Sequence, residues 1–357
     1  MKLRSASLCL GVSLAFVPVV NGQQGTGAVT LSISGTVIGS NGSPLPFSTA
    51  SLRETGAERF SNERGEFVLG SLAPGPYHLR VKQLGFAAFD TLVVLRQDNA
   101  PVKLRVMLSP IAFRLATMTI RSTRACVAPD ENVLVSSDFQ TILNELRKNA
   151  ERERLLVTSY PFEYRIAKSF DAADPKVAPR WPGIDTVLYR ADQRPRYLPG
   201  ALIRMDATIP PPENRIMVIP VLEDLGDPAF LRSHCFIYGG ATNRAGVLTH
   251  RIDFKPAAAL RAPDVEGSVF LDGESFVVRR AVFRLTRAWQ LSPPVRNLEV
   301  TTTYKEVFPG VTVIEEVRSM QIVTGDPFSG RTVRLTERQR LVDYHFLAGQ
   351  PGDTVRN

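Results

Sequence analysis

Residues 65–81 read GEFVLGSLAPGPYHLRV, and this stretch decides the fold of the N-terminal part of the chain. Apolar and polar side chains alternate on both sides of its centre, with the period of a half-buried β-strand. The alternating apolar residues are Phe67, Leu69, Tyr77, Leu79 and Val81. Pro74 and Pro76 fix φ on either side of Gly75, so the sequence specifies a tight turn. We therefore predict two strands that form a hairpin.

Strand patterns of the same kind extend in both directions from this hairpin, between residues 30 and 109. Residues 31–37 and 102–108 alternate cleanly, and the loop at residues 39–46 is dense in Gly, Asn, Ser and Pro. About seven short strands at a spacing of roughly 8–12 residues are typical of a β-sandwich. The sequence therefore predicts a seven-stranded β-sandwich over residues 30–109.

Six sequence elements of this region, in the same order, resemble the carboxypeptidase regulatory-like domain family. They are residues 33–37 (ISGTV), residues 42–45 (GSPL), Ala50, Gly65 with Phe67, residues 74–77 (PGPY) and Gly85 with Phe86. The resemblance implies a transthyretin-like β-sandwich that binds or spaces but does not catalyse. Its similarity to carbohydrate-binding folds implies glycan binding as one use. Residues 62–64 (NER) depart from the family's acidic pattern before Gly-x-Phe, which puts an ion site in this loop in doubt.

The first 22 residues have the features of a signal peptide. Lys2 and Arg4 precede an uncharged apolar stretch at residues 6–20, and Gly22 is a suitable last residue before cleavage. The alternative is a membrane anchor, but an apolar stretch of about 15 residues is shorter than the roughly 20 that a span requires. We expect cleavage and export to the periplasm or the outside of the cell, in association with the envelope. After cleavage we expect no integral membrane segment.

The composition favours a β-rich exported chain and argues against a nucleic-acid partner. The net charge is +8, but the 43 basic and 35 acidic residues are interleaved along the chain, which is typical of an ordinary solvated surface. The chain holds 26 prolines and few helical patterns, which favours strands.

Two of the three cysteines remain after removal of the leader. Cys9 lies in the leader, so Cys126 and Cys235 form an even pair in an oxidising compartment. We predict a disulfide between Cys126 and Cys235. The alternative is a pair of free thiols.

The C-terminal region predicts one helix and a series of long antiparallel strands. Residues 110–130 read as a connector, and the apolar residues of 139–150 recur with helical period. The charges from Glu145 to Arg154 are expected on the opposite face of this helix. The fold class is thus mainly β: an N-terminal seven-stranded sandwich, followed at residues 131–350 by a curved antiparallel sheet (half-barrel) packed on one helix.

The same region has a weaker resemblance to the half-barrel of lipoprotein-carrier-like periplasmic proteins. Residues 250–254 (HRIDF), 267–272 (GSVFLD) and 276–281 (FVVRRA) carry it. The resemblance implies an apolar cavity between the helix and the sheet. Its predicted lining includes Ile252, Phe254, Phe283 and Leu285, and a solid core at these residues would contradict it.

No residue pattern indicates catalysis, a cofactor or a metal. Zinc in a peptidase needs three protein ligands. Only His250 and Asp253 have a His-x-x-acid spacing, and strand alternation places them on opposite faces. The motifs of serine hydrolases, phosphate-binding loops and dinucleotide-binding folds are absent from the sequence. We expect no enzyme activity.

Two acidic groups and three aromatic residues are the remaining candidates for a site. The acidic groups are Glu223, Asp224 and Asp227, and Asp264 with Glu266. A calcium or glycosidase site is one interpretation of them, and an acidic surface loop is the favoured one. Trp181, Trp289 and Tyr77 are candidate ligand or partner contacts, and a half-buried core position is the alternative for the tryptophans.

These observations predict a non-enzymatic binding or structural protein of the bacterial cell envelope. The sandwich would serve as a docking or glycan-binding module. The alternative is a periplasmic carrier of lipid or another apolar ligand in the C-terminal half-barrel. The expected partner is an envelope protein, a glycan or a lipid.

Overall fold

The computed structural model describes residues 31–97, 101–111, 137–172, 185–205, 215–244, 246–291, 295–324 and 332–353. Residues 1–22, Cys126, Trp181 and most of the connector at 110–130 lie outside these ranges, so the predictions made for them stay predictions. Within the described ranges the chain is mainly β, as the sequence predicts.

The N-terminal part is a sandwich of seven strands, which confirms the predicted number. Two sheets make up the sandwich, with strand orders β4-β1-β7 and β3-β2-β5-β6, and only β1 and β7 pair in parallel. The strands are β1 (Leu31–Gly39), β2 (Thr49–Leu52), β3 (Glu58–Phe60), β4 (Glu66–Leu72), β5 (Gly75–Lys82), β6 (Phe89–Leu95) and β7 (Val102–Leu108).

The predicted hairpin of β4 and β5 is wrong, although the alternation that predicted its strands is confirmed. The alternating apolar residues are buried, from Phe67 at 3% exposed to Val81 at 0%. The two strands nevertheless belong to opposite sheets and face each other across the core. Ser71 has a positive φ of 59° that redirects the chain, and Pro74 lacks the N–H that a hairpin ladder would need.

The C-terminal region is built on one open, nine-stranded antiparallel sheet. Its strand order is β12-β13-β14-β15-β16-β17-β18-β8-β9, so β12 and β9 are its two edges. Its strands are β8 (Phe162–Ala172), β9 (Asp185–Arg190), β12 (His234–Arg244), β13 (Val247–Pro256), β14 (Val265–Asp272), β15 (Val278–Leu285), β16 (Val295–Phe308), β17 (Val311–Thr324) and β18 (Thr332–Phe346). The sheet is curved and does not close into a barrel within the described residues, in agreement with the predicted half-barrel.

A small second sheet, three helices and two 3-10 turns cover much of the inner face of this sheet. A separate two-stranded sheet consists of β10 (Ile203–Met205) and β11 (Arg215–Met217). The helices are α1 (Ser137–Ser159), α2 (Pro228–Ser233) and α3 (Ala288–Leu291), with 3-10 turns at Ala191–Gln193 and Glu223–Gly226.

Helix α1 is longer than predicted, and its apolar side packs on the inner face of the sheet as expected. The predicted core-facing side chains are all less than 10% exposed: Phe139, Ile142, Leu143, Leu146 and Ala150. The turn at Glu223–Gly226 packs closely on this helix, since a Cβ at Gly226 would lie 2.7 Å from the Cβ of Ala150.

The space between α1 and strands β12–β16 is filled, so the predicted cavity is wrong at the residues named for it. Ile252, Phe254, Phe283 and Leu285 are 0%, 3%, 1% and 8% exposed and belong to one continuous core. Side chains from the segments before β12 complete this core, among them Tyr197, Leu202, Leu222, Leu225 and Phe230.

Part of the charged side of α1 is buried against the sandwich, which the sequence did not predict. Glu145 and Arg152 are only 1% and 3% exposed, because the sandwich packs on this side of the helix. Lys148 Nζ donates to the carbonyl oxygens of Gln83 and Phe86 (3.0 and 2.6 Å) and pairs with Glu145 at 2.6 Å. Charged side chains of α1 therefore join two layers of protein, and the buried Glu145 and Arg152 both have hydrogen-bonding partners there.

Apolar contacts join the sandwich to the C-terminal region beside these charges. Phe47 of the sandwich stacks on Phe308 with a centroid distance of 5.0 Å, and Phe60 lies 5.8 Å from Tyr160. The junction cluster, as we call this set, contains Phe47, Phe60, Leu155, Leu156, Val157, Tyr160, Phe162, Ala191, Val311 and Val313, all buried.

Candidate functional site

An open cleft of about 1410 Å³ lies on the inner face of the sheet and is the candidate functional site. We call it the inner cleft. It is bounded by the C-terminal half of α1, by strands β8, β9, β17 and β18, and by the small β10–β11 sheet. The filled core lies under the other half of the nine-stranded sheet, so the cleft is the part of the inner face that the covering segments leave open.

The walls of the inner cleft are mainly apolar. Strand register brings side chains of three strands together on this wall: Val317 of β17 pairs with Gln339 of β18, and Leu341 of β18 pairs with Ile166 of β8. The apolar lining consists of Leu156, Val157, Phe162, Ile166, Leu188, Ile216, Met217, Ile219, Val313, Ile314, Val317 and Leu341. These side chains form one surface suited to a hydrocarbon or an apolar side chain.

A buried ion pair lies at the α1 side of the cleft. Arg194 Nη2 is 3.7 Å from Glu153 Oε1, and Glu153 is only 4% exposed. The other carboxylate oxygen of Glu153 accepts the backbone N–H of Glu223 at 2.6 Å. Burial raises the pKa of Glu153, although the charge of Arg194 opposes the shift. The pair fixes α1 to the segments that border the cleft.

The acidic group at residues 223–227 is structural and not the predicted surface loop. Asp224 is 6% exposed and accepts the N–H of Val221 at 2.8 Å. Burial raises the pKa of Asp224 to about 7, with the charges of Glu223 and Glu153 adding to the effect. Asp227 Oδ1 accepts the N–H of Ala229 at 2.6 Å and caps α2. The carboxylates of Asp224 and Asp227 thus have a role in local structure.

The rim of the inner cleft is basic and partly apolar. Lys168 Nζ donates to Tyr189 Oη at 2.7 Å, and Arg204 makes no hydrogen bond or ion pair with the described residues. Leu188 and Met205 are exposed at the rim, at 56% and 67%. Exposed apolar side chains at a cleft entrance favour an apolar ligand or partner.

The structure does not bring the predicted contact residues together. Tyr77 is 7% exposed in the sandwich core and its hydroxyl donates to Ala73 O at 2.8 Å, so the prediction that it contacts a ligand is wrong. Trp289, on the short helix α3, is 53% exposed and does not line the inner cleft. Trp181 lies outside the described residues.

Of the two cysteines in the predicted disulfide, Cys235 lies within the described residues. Cys235 is 4% exposed at the start of β12 and is disulfide-bonded. Cys126 lies outside the described residues, so the Cys126–Cys235 pairing stays a prediction.

Ser233, His234 and Asp264 have the order of a catalytic triad, but their contacts are structural. His234 Nδ1 is 3.1 Å from Ser233 Oγ, and its Nε2 is 3.7 Å from Asp264 Oδ1. His234 and Asp264 are both 0% exposed, and the Ser233 hydroxyl donates to Ala229 O at 2.7 Å. His234 and Asp264 have no access to solvent and are too far apart for a hydrogen bond, so the group does not meet the geometric requirements of nucleophilic catalysis.

The prediction of an acidic surface loop at residues 264–266 is also wrong for Asp264, which is buried. Asp264 accepts hydrogen bonds from the hydroxyl of Tyr197 and from the N–H of Gly200 (2.7 Å). Glu266 is exposed, as predicted. His250 is buried while Asp253 is on the other face of β13, in agreement with the alternation argument. In the parts of the chain that the structure describes, no group of three metal-ligating side chains is close enough to hold an ion.

The residues of the inner cleft were not singled out by the sequence. Strands β17 and β18 are visible in it as alternating runs, but their inward side chains look like those of any core strand. Whether such side chains line a cleft or a core depends on how far α1 and the segments before β12 extend over the sheet. That is a tertiary property, and no local pattern carries it.

Three solved structures resemble the chain over 58% of its length. They are a DUF1329 family protein from Desulfovibrio piger (10% identity, 94% of that chain covered, TM-score 0.33), a putative outer membrane lipoprotein-sorting protein domain from Vibrio parahaemolyticus (11%, 92%, 0.31) and the MucA/MucB complex of Pseudomonas aeruginosa (9%, 99%, 0.19).

Comparison with curated proteins gives no match. Among the described residues, no helix is both long enough and apolar enough to cross a membrane.

The N-terminal part matches a known family. Residues 32–109 match the model of the carboxypeptidase regulatory-like domain. The match spans all seven strands of the sandwich and all six elements by which the sequence resembles the family. Residues 32–109 therefore carry a carboxypeptidase regulatory-like domain.

Proposed function

We propose that this chain is an exported, non-catalytic binding protein of the bacterial cell envelope, and that the inner cleft holds an elongated apolar ligand. The observation that carries the proposal is the cleft itself, with about 1410 Å³ of open space and a mainly apolar wall. Pockets for small molecules usually measure about 300–1,000 Å³ and are lined mainly by apolar side chains. The larger volume favours a long chain, such as an acyl group.

The proposal keeps the apolar ligand of the carrier hypothesis but places it at a different position on the sheet. The ligand lies against β8, β17 and β18, and not among Ile252, Phe254, Phe283 and Leu285, which are packed in the core. The basic rim and the exposed Leu188 and Met205 suit a ligand that enters from an apolar or amphipathic environment.

The regulatory-like domain acts in this proposal as a rigid docking module and not as a flexible stalk. Buried hydrogen bonds from Lys148 and Arg152 and the junction cluster attach it to the C-terminal region. Domains that share a large apolar interface do not move independently. A partner bound by the sandwich would therefore be held in a fixed orientation to the cleft.

Glycan binding by the sandwich has less support. Stacking on a sugar requires an exposed aromatic ring. Within the described part of the sandwich, the large apolar side chains that are exposed are Val68, Leu92, Val94 and Met107, none of which is aromatic.

The absence of catalysis stays part of the proposal. The titratable groups beside the cleft are engaged in structure: Glu153 with Arg194 and the Glu223 N–H, and Asp224 with the Val221 N–H. Catalytic groups need access to a reacting atom. Export is proposed from the leader pattern at residues 1–22.

A substitution that fills the cleft tests the binding proposal. Val317 is half-buried and points into the cleft from β17, so Val317→Trp should block the space that a hydrocarbon chain would occupy. We expect its affinity for a fluorescent fatty acid to fall about tenfold or more, since overpacking costs about 1–3 kcal/mol. Fluorescence titration of the purified protein measures this.

Met320→Trp is the matched control. It adds an indole to the same strand but on the outer face, since Met320 pairs with Glu299 and Thr336. It should bind the probe as the wild type does. Equal binding by both variants, or no binding by the wild type, would exclude the inner cleft as the ligand site.

A further inference from the structure

The outer face of the nine-stranded sheet carries a cluster of arginines that the ligand cleft does not use. Strand register brings them together across β15–β18. Arg280 pairs with Thr303, Thr303 with Glu316, and Glu316 with Arg340, which makes one lateral row. This row runs across four neighbouring strands on the face opposite α1.

A second row lies directly beside the first. Val282 pairs with Thr301, Thr301 with Arg318, and Arg318 with Arg338. Neighbouring strands are about 4.8 Å apart, and residues two apart along a strand about 7 Å. Arg280, Arg318, Arg338 and Arg340, with Thr301 and Thr303 between them, therefore form one patch. We call it the arginine patch.

The positive charges of this patch are not balanced by the protein. Arg338 Nε and Arg340 Nε share one carboxylate, at 3.2 and 3.5 Å from the oxygens of Glu316. Arg280 lies over the ring of Phe270 at 4.0 Å, and Arg318 has no ion pair with any described residue. Three further carboxylates lie on this face at the border of the patch: Asp171, Glu299 and Asp343. Glu299 is paired with Arg284 at 2.8 Å, and Asp343 lies 3.6 Å from Arg165. Within the patch itself, four guanidinium groups share the single carboxylate of Glu316.

The pairing of Arg318 with Arg338 is itself unfavourable. Like charges directly opposite each other on neighbouring strands destabilise a sheet. Both side chains are exposed, and so is Arg340, whose side chain is 64% accessible. Folding does not require this arrangement, so an external anion is a physical reason for it. Guanidinium groups bind phosphate in a bidentate manner, and threonine hydroxyls add donors.

We propose that the arginine patch docks the protein on the phosphate groups of an anionic lipid surface. The patch is open and not enclosed, so one small free anion would remain largely hydrated there. A surface that presents many phosphates engages several arginines at once, and the individual contributions add. A protein partner usually needs an apolar centre at the interface. The centre of this patch is formed by threonine and arginine side chains.

Sedimentation with lipid vesicles tests the proposal, using protein purified from the cell envelope. We expect binding to vesicles of equal parts phosphatidylcholine and phosphatidylglycerol, weakening with added salt, and none to phosphatidylcholine alone. The double variant Arg318→Gln/Arg338→Gln should bind about tenfold to thirtyfold more weakly, because each arginine at an anionic surface contributes about 1 kcal/mol.

The matched control is Arg53→Gln/Arg96→Gln, which removes the same charge from exposed positions on the sandwich. It should retain most of the binding. The patch variant should keep or slightly raise its melting temperature, because it removes a like-charge contact. Equal loss in both variants, binding to neutral vesicles, or absence of binding would each overturn the proposal. Displacement from the vesicles by an equal concentration of free glycerol phosphate would indicate a site for a small anion instead.

Discussion

Asp224 is a buried carboxylate whose neighbours disfavour its charge. It lies between α1 and α2, with Glu153 and Glu223 nearby and Arg194 as the opposing cation. Its hydrogen bond from the Val221 N–H stabilises the charged form, but burial is the larger effect and raises its pKa to about 7. The protein therefore buries a carboxylate that holds its proton in mildly acidic solution.

The sign of the pH dependence follows from this raised pKa. An acid with a higher pKa in the folded chain binds its proton more tightly when folded, so the folded state gains stability as the pH falls through the interval. For Asp224 the interval runs from an ordinary value of 3.8 to about 7. We expect the melting temperature to fall by several degrees between about pH 5 and about pH 8. Thermal denaturation followed by circular dichroism measures it.

Asp224→Asn should flatten this profile and raise the melting temperature at the alkaline end. The amide oxygen can still accept the Val221 N–H, while the charge is gone. Some slope should remain, because burial also raises the pKa of Glu153 and Glu145. Glu266→Gln, at an exposed position of β14, should keep the wild-type slope. An Asp224→Asn profile as steep as the wild type would contradict the assignment.

At the scale of the elements, α1 is a helix with two buried sides. Arg152 lies on the side that faces the sandwich. Its Nε donates to Gly310 O at 2.7 Å, its Nη2 to Pro309 O at 3.2 Å and its Nη1 to Gln83 Oε1 at 3.1 Å. Burial lowers the pKa of Arg152 to about 10, and the side chain is still charged at neutral pH. One guanidinium group therefore joins the helix, the β16–β17 turn and the sandwich.

Arg152→Met should destabilise the protein by about 2–4 kcal/mol, because it removes the donors to Gly310 O and Pro309 O and one of the two donors to Gln83 Oε1. Arg154→Met is the control from the same helix. Arg154 is 54% accessible and pairs only with Glu58, so its removal should cost about 1 kcal/mol or less. Urea denaturation measures both differences. Similar costs for the two variants would show that Arg152 does not join the layers.

The sequence predicts where these elements lie along the chain, but it does not predict which elements they pack against. Alternation identified β4 and β5 correctly, but it could not tell a hairpin from two strands in opposite sheets, since both bury the same residues. The helical period identified the apolar side of α1. The charges from Glu145 to Arg154 identified only the opposite face of α1, because a charged face that binds another domain has the same sequence pattern as a solvated one.

The candidate site, too, could be predicted from the sequence only as far as local strand patterns reach. Val317 and Phe283 are both inward-facing apolar residues on strands of the same sheet, yet one lines the inner cleft and the other is 1% exposed in the core. The arginine patch depends on register, which pairs Arg318 with Arg338 and is set by the β17–β18 pairing as a whole.

At the scale of the whole molecule, the sandwich and the C-terminal region share a core. Phe47 and Phe60 of the sandwich are 3% and 4% exposed because residues of α1 and β17 cover them. Separating the two parts would expose these rings, and Lys148 and Arg152 would lose their acceptors on Gln83 and Phe86 of the sandwich. Burial of an aromatic side chain contributes roughly 2–3 kcal/mol, so the coupling is of the same order as the stability of a small domain.

We therefore expect the two parts to unfold in one transition. Leu79→Ala tests this, because Leu79 is 0% exposed in the sandwich core and does not contact the junction cluster. It should cost about 2–5 kcal/mol. Both tryptophans, Trp181 and Trp289, lie in the C-terminal region, so their fluorescence reports on that part alone. If the parts are coupled, the urea midpoint from fluorescence falls together with the midpoint from circular dichroism. A fluorescence midpoint that stays at the wild-type value, with a second transition in circular dichroism, would mean that the sandwich unfolds by itself and cannot act as a rigid docking module.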